Sequence, residues 1–319
     1  MIQFKNVTKR YKDKVAVDDL SFNIKEGEFF VLIGPSGCGK TTTLKMINRL
    51  IPLTDGFIYF NDKPISSYPV HEMRWDIGYV LQQIALFPHM TIKDNIAQVP
   101  QMKKWDAKRI DARVNELMEM VGLEPEVYKD RLPHQLSGGQ RQRVGVLRAL
   151  AADPPVILMD EPFSALDPIS REKLQDDLLN IQSKIKKTIV FVTHDIQEAF
   201  KLGDRICLLN EGHQEQIGTP DEFMTQPKNE FVRQFIGDLD AYMIKQVTVK
   251  DIINQIHLPK TDEDPSLPVV SEDATIQDIY DELSRSDNVL VCCDGEMFYQ
   301  LNRQDVFTFL AHSQRGALS

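Results

Sequence analysis

A chain of 319 residues with 42% apolar and 26% charged side chains has the balance of a globular protein, built as one large domain with an appendage or as two domains. That balance excludes a collagen-like repeat or a chain without a core. A net charge of −10 speaks against nucleic acid as a partner, because duplex binding needs clustered Lys and Arg to displace counterions. The apolar runs are far shorter than the roughly 20 residues that cross a bilayer, and the first residues lack the charged head and apolar stretch of a secretory signal, so a place in the cytoplasm is expected.

From Met1 to about Gly237, short β-branched apolar runs alternate with helix-period segments, the pattern of an α/β domain around a largely parallel sheet. Core strands are predicted at Phe29 to Ile33, Val156 to Met159, Thr188 to Thr193 and Ile206 to Leu209. Between Lys108 and Gly122 the residues Ile110, Val114, Leu117, Met118 and Val121 recur on one helical face, and Gly122 ends the helix. Residues 238–267 read as a linker. The stretch from Leu258 to Pro268 carries three prolines and three consecutive acids. Residues 268–319 read as a small α/β domain, with strands at Val269-Val270 and Asn288 to Cys292 and helices at Thr275 to Leu283 and Gln304 to Ala311. Charge is divided unevenly. Asp240 to Ser319 holds 6 Lys and Arg against 14 Asp and Glu, a net −8, and leaves 31 against 33 before it. The four cysteines, Cys38, Cys207, Cys292 and Cys293, show no C-x-x-C or zinc spacing and are expected to be reduced thiols.

The first chemical signal directly follows the first core strand. Gly34-Pro35-Ser36-Gly37-Cys38-Gly39-Lys40-Thr41 fits G-x-x-x-x-G-K-[ST] and leads, through Thr42, into a helix-period run ending at Leu50. Glycines let backbone N–H groups turn toward phosphate oxygens, Lys40 reaches the β- and γ-phosphates, and the Thr41 hydroxyl ligates Mg²⁺. The helix N-terminus adds its dipole. The plain alternative is a Gly-rich turn without nucleotide, but strand, loop and helix are in the order the motif needs. At Val156 to Glu161 a second apolar strand delivers Asp160 and Glu161 at its C-terminal end, where open parallel sheets bind ligands. Asp160 suits the Mg²⁺ shell and Glu161 the polarisation of an attacking water. Alone, two acids there would more often cap a helix; beside a phosphate loop the balance reverses. Ser137-Gly138-Gly139-Gln140 opens a second anion-facing helix, with Ser137 as N-cap.

These motifs together resemble the ATPase subunits of ABC transporters. The phosphate loop, Leu136-Ser137-Gly138-Gly139-Gln140, the Asp160-Glu161 strand, Ser164 to Asp167 and His194 follow in that family's order across roughly 235 residues. The resemblance implies an α/β P-loop NTPase of the ABC ATPase type over residues 1–237, with a RecA-like core, an antiparallel β subdomain and a helical subdomain. It also implies ATP and Mg²⁺ as cofactors. ATP would be held by Tyr11, which stacks on adenine, and by Gly34 to Thr42. Ser137, Gly138, Gly139, Gln140 and Asp167 would reach ATP bound by the partner chain of a head-to-tail homodimer. Glu161, His194 and Gln82 would be catalytic, and Thr41, Gln82 and Asp160 would hold Mg²⁺. Gln83, next to Gln82, leaves that assignment open by one position.

Phe87 to Thr91 and Glu161 to Pro168 look like importer ATPases, which implies separate integral-membrane permease subunits, an extracytoplasmic solute-binding protein as an indirect partner, and a place on the cytoplasmic face of the membrane. Lys45 to Leu50 and Ile77 to Pro88 resemble the group that imports glycine betaine, carnitine or choline as osmoprotectants. The alternative is a soluble ABC ATPase acting on nucleic acid or ribosomes, which the near-neutral first 239 residues oppose. Residues 268–319 look like a single CBS-type repeat, whose expected roles are sensing of ionic strength, binding of a regulatory nucleotide such as cyclic di-AMP, or service as an acidic appendage. Ala241 to His257 reads as too short and too polar for another copy.

Overall fold

The computed structural model describes residues 1–83, 85–237, 248–256, 258, 260–261, 264, 266–293, 297–306 and 309. The chain divides into two compact units, Met1–Phe223 and Met224–Ser319.

In the first unit, β1 (Ile2–Tyr11), β2 (Lys14–Ile24), β4 (Asp55–Phe60) and β5 (Lys63–Pro64) form an antiparallel sheet in the order β2-β1-β4-β5. Alternation along β2 puts Leu20, Phe22 and Ile24 on its covered face, and an irregularity at Asp19 (φ +50°) brings Val17 onto it as well. Phe22 stacks between Phe4 and Phe30 at 4.4 and 5.4 Å and so joins this sheet to the next.

The second sheet has six strands in the order β10-β9-β3-β8-β7-β6, from β3 (Phe29–Ile33), β6 (Ile77–Val80), β7 (Val156–Asp160), β8 (Thr188–Val192), β9 (Arg205–Asn210) and β10 (His213–Gly218). All its pairs are parallel except β9 with the edge strand β10. Every residue of β3, β7 and β8 is buried, as a parallel sheet covered on both faces requires. The predicted core strands are therefore present, shifted by at most one residue at an end. The register aligns Leu32 with Val192 and Val192 with Asp160, so β3, β8 and β7 finish at one level. That shared edge builds the site.

Helices enclose this sheet and extend from it. The predicted amphipathic helix is Ala107–Met120; Asp106 caps it by accepting from Arg109 N at 2.9 Å, and Gly122 follows with φ of +65°. Its partners in the helical part are Ile92–Met102 and Gly138–Leu150. Among the described residues, no helix is long and apolar enough to cross a membrane. All four cysteines are free.

The second unit contains a sheet in the order β11-β14-β13-β12, from β11 (Lys260–Thr261), β12 (Val269–Ser271), β13 (Asn288–Cys293) and β14 (Met297–Asn302). The strands expected near Val269 and Asn288 and the helix Ile276–Leu283 are present; β14 was not anticipated. The expected terminal helix lies partly outside the described residues, as does half of the expected linker. A further helix, Val249–Ile256, occupies the stretch that reads as too polar. Val249, Ile252 and Ile253 bury against Ile279, Leu283 and Val289, so a short apolar stripe suffices despite the charged neighbours. The two helices open alike. Thr248 and Thr275 each donate N–H and hydroxyl to Asp251 and Asp278, at 2.9 and 2.8 Å in both cases, and the two threonines form an antiparallel bridge.

Candidate functional site

Because β6, β7, β8 and β3 are neighbours and parallel, the residues just past their C-terminal ends converge although they are far apart in sequence. β3 leads into Gly34, β7 into Glu161, β8 into His194 and β6 into Gln82. A cavity of about 530 Å³ lies there, lined by Tyr11, Ser36, Gly37, Gly39, Lys40, Thr41, Thr42, Gln82 and Glu161, together with Lys14 and Ala16.

The phosphate loop owes its shape to two close approaches. A Cβ on Gly34 would lie 2.1 Å from the Leu209 carbonyl, and one on Gly39 would lie 2.4 Å from that of Ala16. Only glycine allows this packing, and Gly39 (φ +106°) also starts the helix Lys40–Ile47. Gly37, by contrast, has open space beside it. Ser36 and Gly37 form the exposed rim of the loop, while Gly34 and Cys38 lie beneath and Pro35 is half-buried. Lys40 is buried, and its ammonium donates to the Gly34 and Pro35 carbonyls at 2.7 and 2.9 Å. Two of its three protons are thus used to hold it over the loop. Burial raises the Cys38 thiol above its ordinary range, with Lys40 as the main opposing influence.

Behind the loop, the Thr41 hydroxyl donates to Asp160 Oδ1 at 2.7 Å. Asp160 is buried, and burial pushes its carboxyl above the usual carboxylate range, opposed first by the Thr41 bond. Next to it Glu161 adopts φ of +44°, a left-handed conformation that costs a non-glycine residue free energy and turns its side chain out of the strand line. Its Oε2 receives the Gln82 amide at 3.1 Å and faces His194 Nδ1 at 3.3 Å. The structure therefore brings Gln82, Glu161 and His194 onto a single carboxylate oxygen. Gln82 lines the cavity and Gln83 does not.

Phosphate would meet backbone N–H groups at a loop and helix N-terminus, with a lysine beside them; a divalent cation would meet a hydroxyl and a carboxylate, the hard oxygen donors that Mg²⁺ shares with phosphates. The residues fit both.

Ser137 to Gln140 and Asp167 do not line this cavity. Ser137 and Gln140 cap the helix Gly138–Leu150 reciprocally, at 3.2 and 2.9 Å, and the Gln140 amide also donates to the Tyr128 hydroxyl at 3.2 Å. Asp167 caps the helix Pro168–Ile185 by accepting from Ser170 N at 3.0 Å, and this bonding holds its carboxyl below the ordinary range. A Cβ on Gly139 would meet Ser170 at 3.2 Å, so the two caps are adjacent.

Sequence reading missed three participants. Lys14, the first residue of β2 and paired with Tyr11, lines the cavity. Arg148 donates to the Ala85 carbonyl at 2.6 Å in the loop after Gln82. Tyr79 reaches Asp160 Oδ2 with its hydroxyl at 3.5 Å. Lys14 carried a cue, a cation near the expected adenine side, whereas the other two depend on strand order.

Comparison with known proteins agrees with this geometry. The ABC transporter family model matches residues 17–164. The carnitine transport ATP-binding protein OpuCA of Listeria monocytogenes is 56% identical over 238 residues, which is 74% of this chain and 60% of that protein. The choline transport ATP-binding protein OpuBA of Bacillus subtilis is 48% identical over 299 residues, 88% of this chain and 78% of that protein. Among solved structures, the dimeric structure of MJ0796, a bacterial ABC transporter cassette, is 38% identical with a TM-score of 0.62, covering 69% of this chain and 99% of that one; the same cassette is also known bound to ADP and Pi. The match thus spans less than two thirds of the length of the Listeria relative. With these identities and the phosphate loop, Asp160-Glu161 pair and His194 on one sheet edge, the chain belongs to the ABC transporter family, among its ATP-binding proteins.

Proposed function

We propose that the chain is the ATP-hydrolysing subunit of an importer for a quaternary-amine osmoprotectant, glycine betaine, carnitine or choline. The observation that carries the reading is the convergence of Gln82 and His194 on Glu161 Oε2 at the mouth of a cavity walled by the phosphate loop. Lys40 and the N–H groups of residues 36 to 42 bind the phosphates of ATP, and Tyr11 stacks on the adenine. Glu161 accepts the proton of the attacking water, while Gln82 and His194 fix the oxygen that does so and face the γ-phosphate. Thr41, Asp160 and Gln82 hold Mg²⁺, which when bound neutralises charge on the β- and γ-phosphate oxygens. Glu161→Gln keeps the shape and removes the base, so ATP binding should stay within about twofold while turnover falls on the order of 100-fold or more. Near-parental turnover would overturn the assignment.

Ser137 to Gln140 and Asp167 act on ATP bound by a second copy, which the exposure of Ser137 and Asp167 and the absence of all five from the lining of the chain's own cavity support. An apolar groove of about 570 Å³, lined by Trp75, Tyr79, Val99, Met102, Arg148 and Pro154, takes a helical segment of a separate membrane permease subunit. A transport system needs membrane-crossing segments, and the groove adjoins the Gln82 strand and the helix that begins at Gly138. The chain would then work on the cytoplasmic face of the membrane, with a solute-binding protein on the far side. Carnitine and choline in the relatives' names share a trimethylammonium group and favour import over action on nucleic acid or ribosomes. Uptake assays with the cognate permease, scanning those amines, test the solute.

Residues 1–237 form the ATPase domain and 268–319 a CBS-like regulatory domain; within the intervening 238–267, read as a linker, the helix Val249–Ile256 packs with the C-terminal domain. The C-terminal domain carries most of the −8 counted from Asp240 onward and makes transport respond to ionic strength, with the motor held back at low salt and released at high salt, or to a bound nucleotide such as cyclic di-AMP. An unchanged salt response of transport after removal of residues 240–319 would end the ionic-strength version.

A further inference from the structure

Asp160 has two carboxylate oxygens with different neighbours. Oδ1 accepts from the Thr41 hydroxyl at 2.7 Å, on the side of the phosphate loop. Oδ2 accepts from the Tyr79 hydroxyl at 3.5 Å, on the side of β6. A carboxylate held through one oxygen can still tilt about χ2, whereas a bond to each oxygen fixes its plane and keeps one oxygen beside the Thr41 hydroxyl for a cation.

Tyr79 is well placed to fix that orientation. It pairs with Leu158 in the ladder between β6 and β7, two residues before Asp160, so its backbone moves with the strand that carries the carboxylate. Its neighbour Gly78 is pressed onto the helix Gly138–Leu150, where a Cβ would lie 2.5 Å from the Ala149 carbonyl. The strand cannot slide without that helix. Tyr79 lines the apolar groove while its hydroxyl lies on Asp160, so this residue spans from groove wall to carboxylate.

We propose that Tyr79 is a positioning residue for the metal carboxylate: its hydroxyl holds Asp160 Oδ2 and thereby aims Oδ1, beside Thr41, at the Mg²⁺ of bound MgATP. The inference rests on the reading of Thr41 and Asp160 as metal-holding residues. Partners of this kind are worth about 10-fold or more in metal affinity, and the long bond places Tyr79 at the low end.

The test is a titration of full-length protein carrying ATP with Mn²⁺, followed by electron paramagnetic resonance, for the parent, Tyr79→Phe and Asp160→Asn. Tyr79→Phe should raise the half-saturating Mn²⁺ concentration about 10-fold, with Mg²⁺-free ATP affinity and melting temperature unchanged. Parental Mn²⁺ affinity in Tyr79→Phe together with a loss in Asp160→Asn would overturn the role of Tyr79 alone. Parental affinity in both would overturn the metal reading beneath it. A Tyr79→Phe variant that loses Mg²⁺-free ATP affinity and melting temperature in proportion would also count against the proposal, since the ring would then be only structural.

Discussion

Two helix starts in the first unit are both suited to anions, and they are built in opposite ways. At the phosphate loop, Gly34 and Gly39 press against backbone carbonyls, Lys40 is bonded to its own loop, and Thr41 is tied to Asp160. At Ser137 the helix is capped only by its own Ser137 and Gln140 side chains, the N-cap is exposed, and Gly138 has nothing within 4 Å of where a Cβ would sit. The first is braced by its own chain; the second is left open on one side. That asymmetry is what a composite site shared between two chains requires, since each chain must finish one half of the site and present an unfinished half to its partner.

The strongest way to break the comparison is to damage each half separately. Lys40→Met removes a charge-assisted bond to phosphate and should weaken ATP binding to the isolated chain about 10- to 100-fold. Ser137→Arg should leave that binding intact and instead abolish ATP-dependent dimer formation, measured by gel filtration in the Glu161→Gln background. If Ser137→Arg weakened ATP binding to the monomer as much as Lys40→Met, the Ser137 helix would act within its own chain.

A subtler contrast uses the glycines. Gly34→Ala forces a methyl to 2.1 Å from the Leu209 carbonyl, so the strand-loop junction must shift, at a cost of about 3 kcal/mol or more in unfolding free energy. Gly138→Ala meets nothing and should lose no stability, with a gain of up to about 0.5 kcal/mol from better helix propensity. Its effect should appear only in dimer formation. Denaturant melts of the two variants give the comparison directly, and equal destabilisation would mean that Gly138 is braced after all.

The parts of this arrangement were legible in the sequence to different depths. β3 could be read because five consecutive apolar residues lead directly into the phosphate loop, and the Ser137 cap because Gln140 stands three residues after it. Meeting of Gln82, Glu161 and His194 could not be read from spacing alone, since it depends on β6, β7 and β8 being neighbours. Tyr79 carried no cue, because an aromatic residue in a strand ordinarily means core. In the second unit, Val249–Ile256 was hidden by Lys250, Asp251 and Asn254, which lie off the face that Val249, Ile252 and Ile253 bury.

The smallest expected effect concerns the junction of the two halves. Arg171, on the helix capped by Asp167, donates to the Leu166 carbonyl at 3.4 Å and lies 3.6 Å from Asp195 and 3.9 Å from Glu198. It thus connects the Asp167 turn with the loop carrying His194. Glu198 is 5% exposed and accepts from the Thr193 hydroxyl at 2.6 Å. Burial raises its carboxyl above the ordinary glutamate range, outweighing the Thr193 bond and Arg171. For a group raised on folding, the stabilising contribution is full below the ordinary glutamate range and is lost as pH rises through the folded value. Glu198→Gln keeps an acceptor for Thr193 and removes the charge. It should melt above the parent at pH 7 and converge with it near pH 4. A variant that instead melts below the parent at pH 7 would show that Arg171 holds the two halves together more strongly than burial of the carboxylate opposes it.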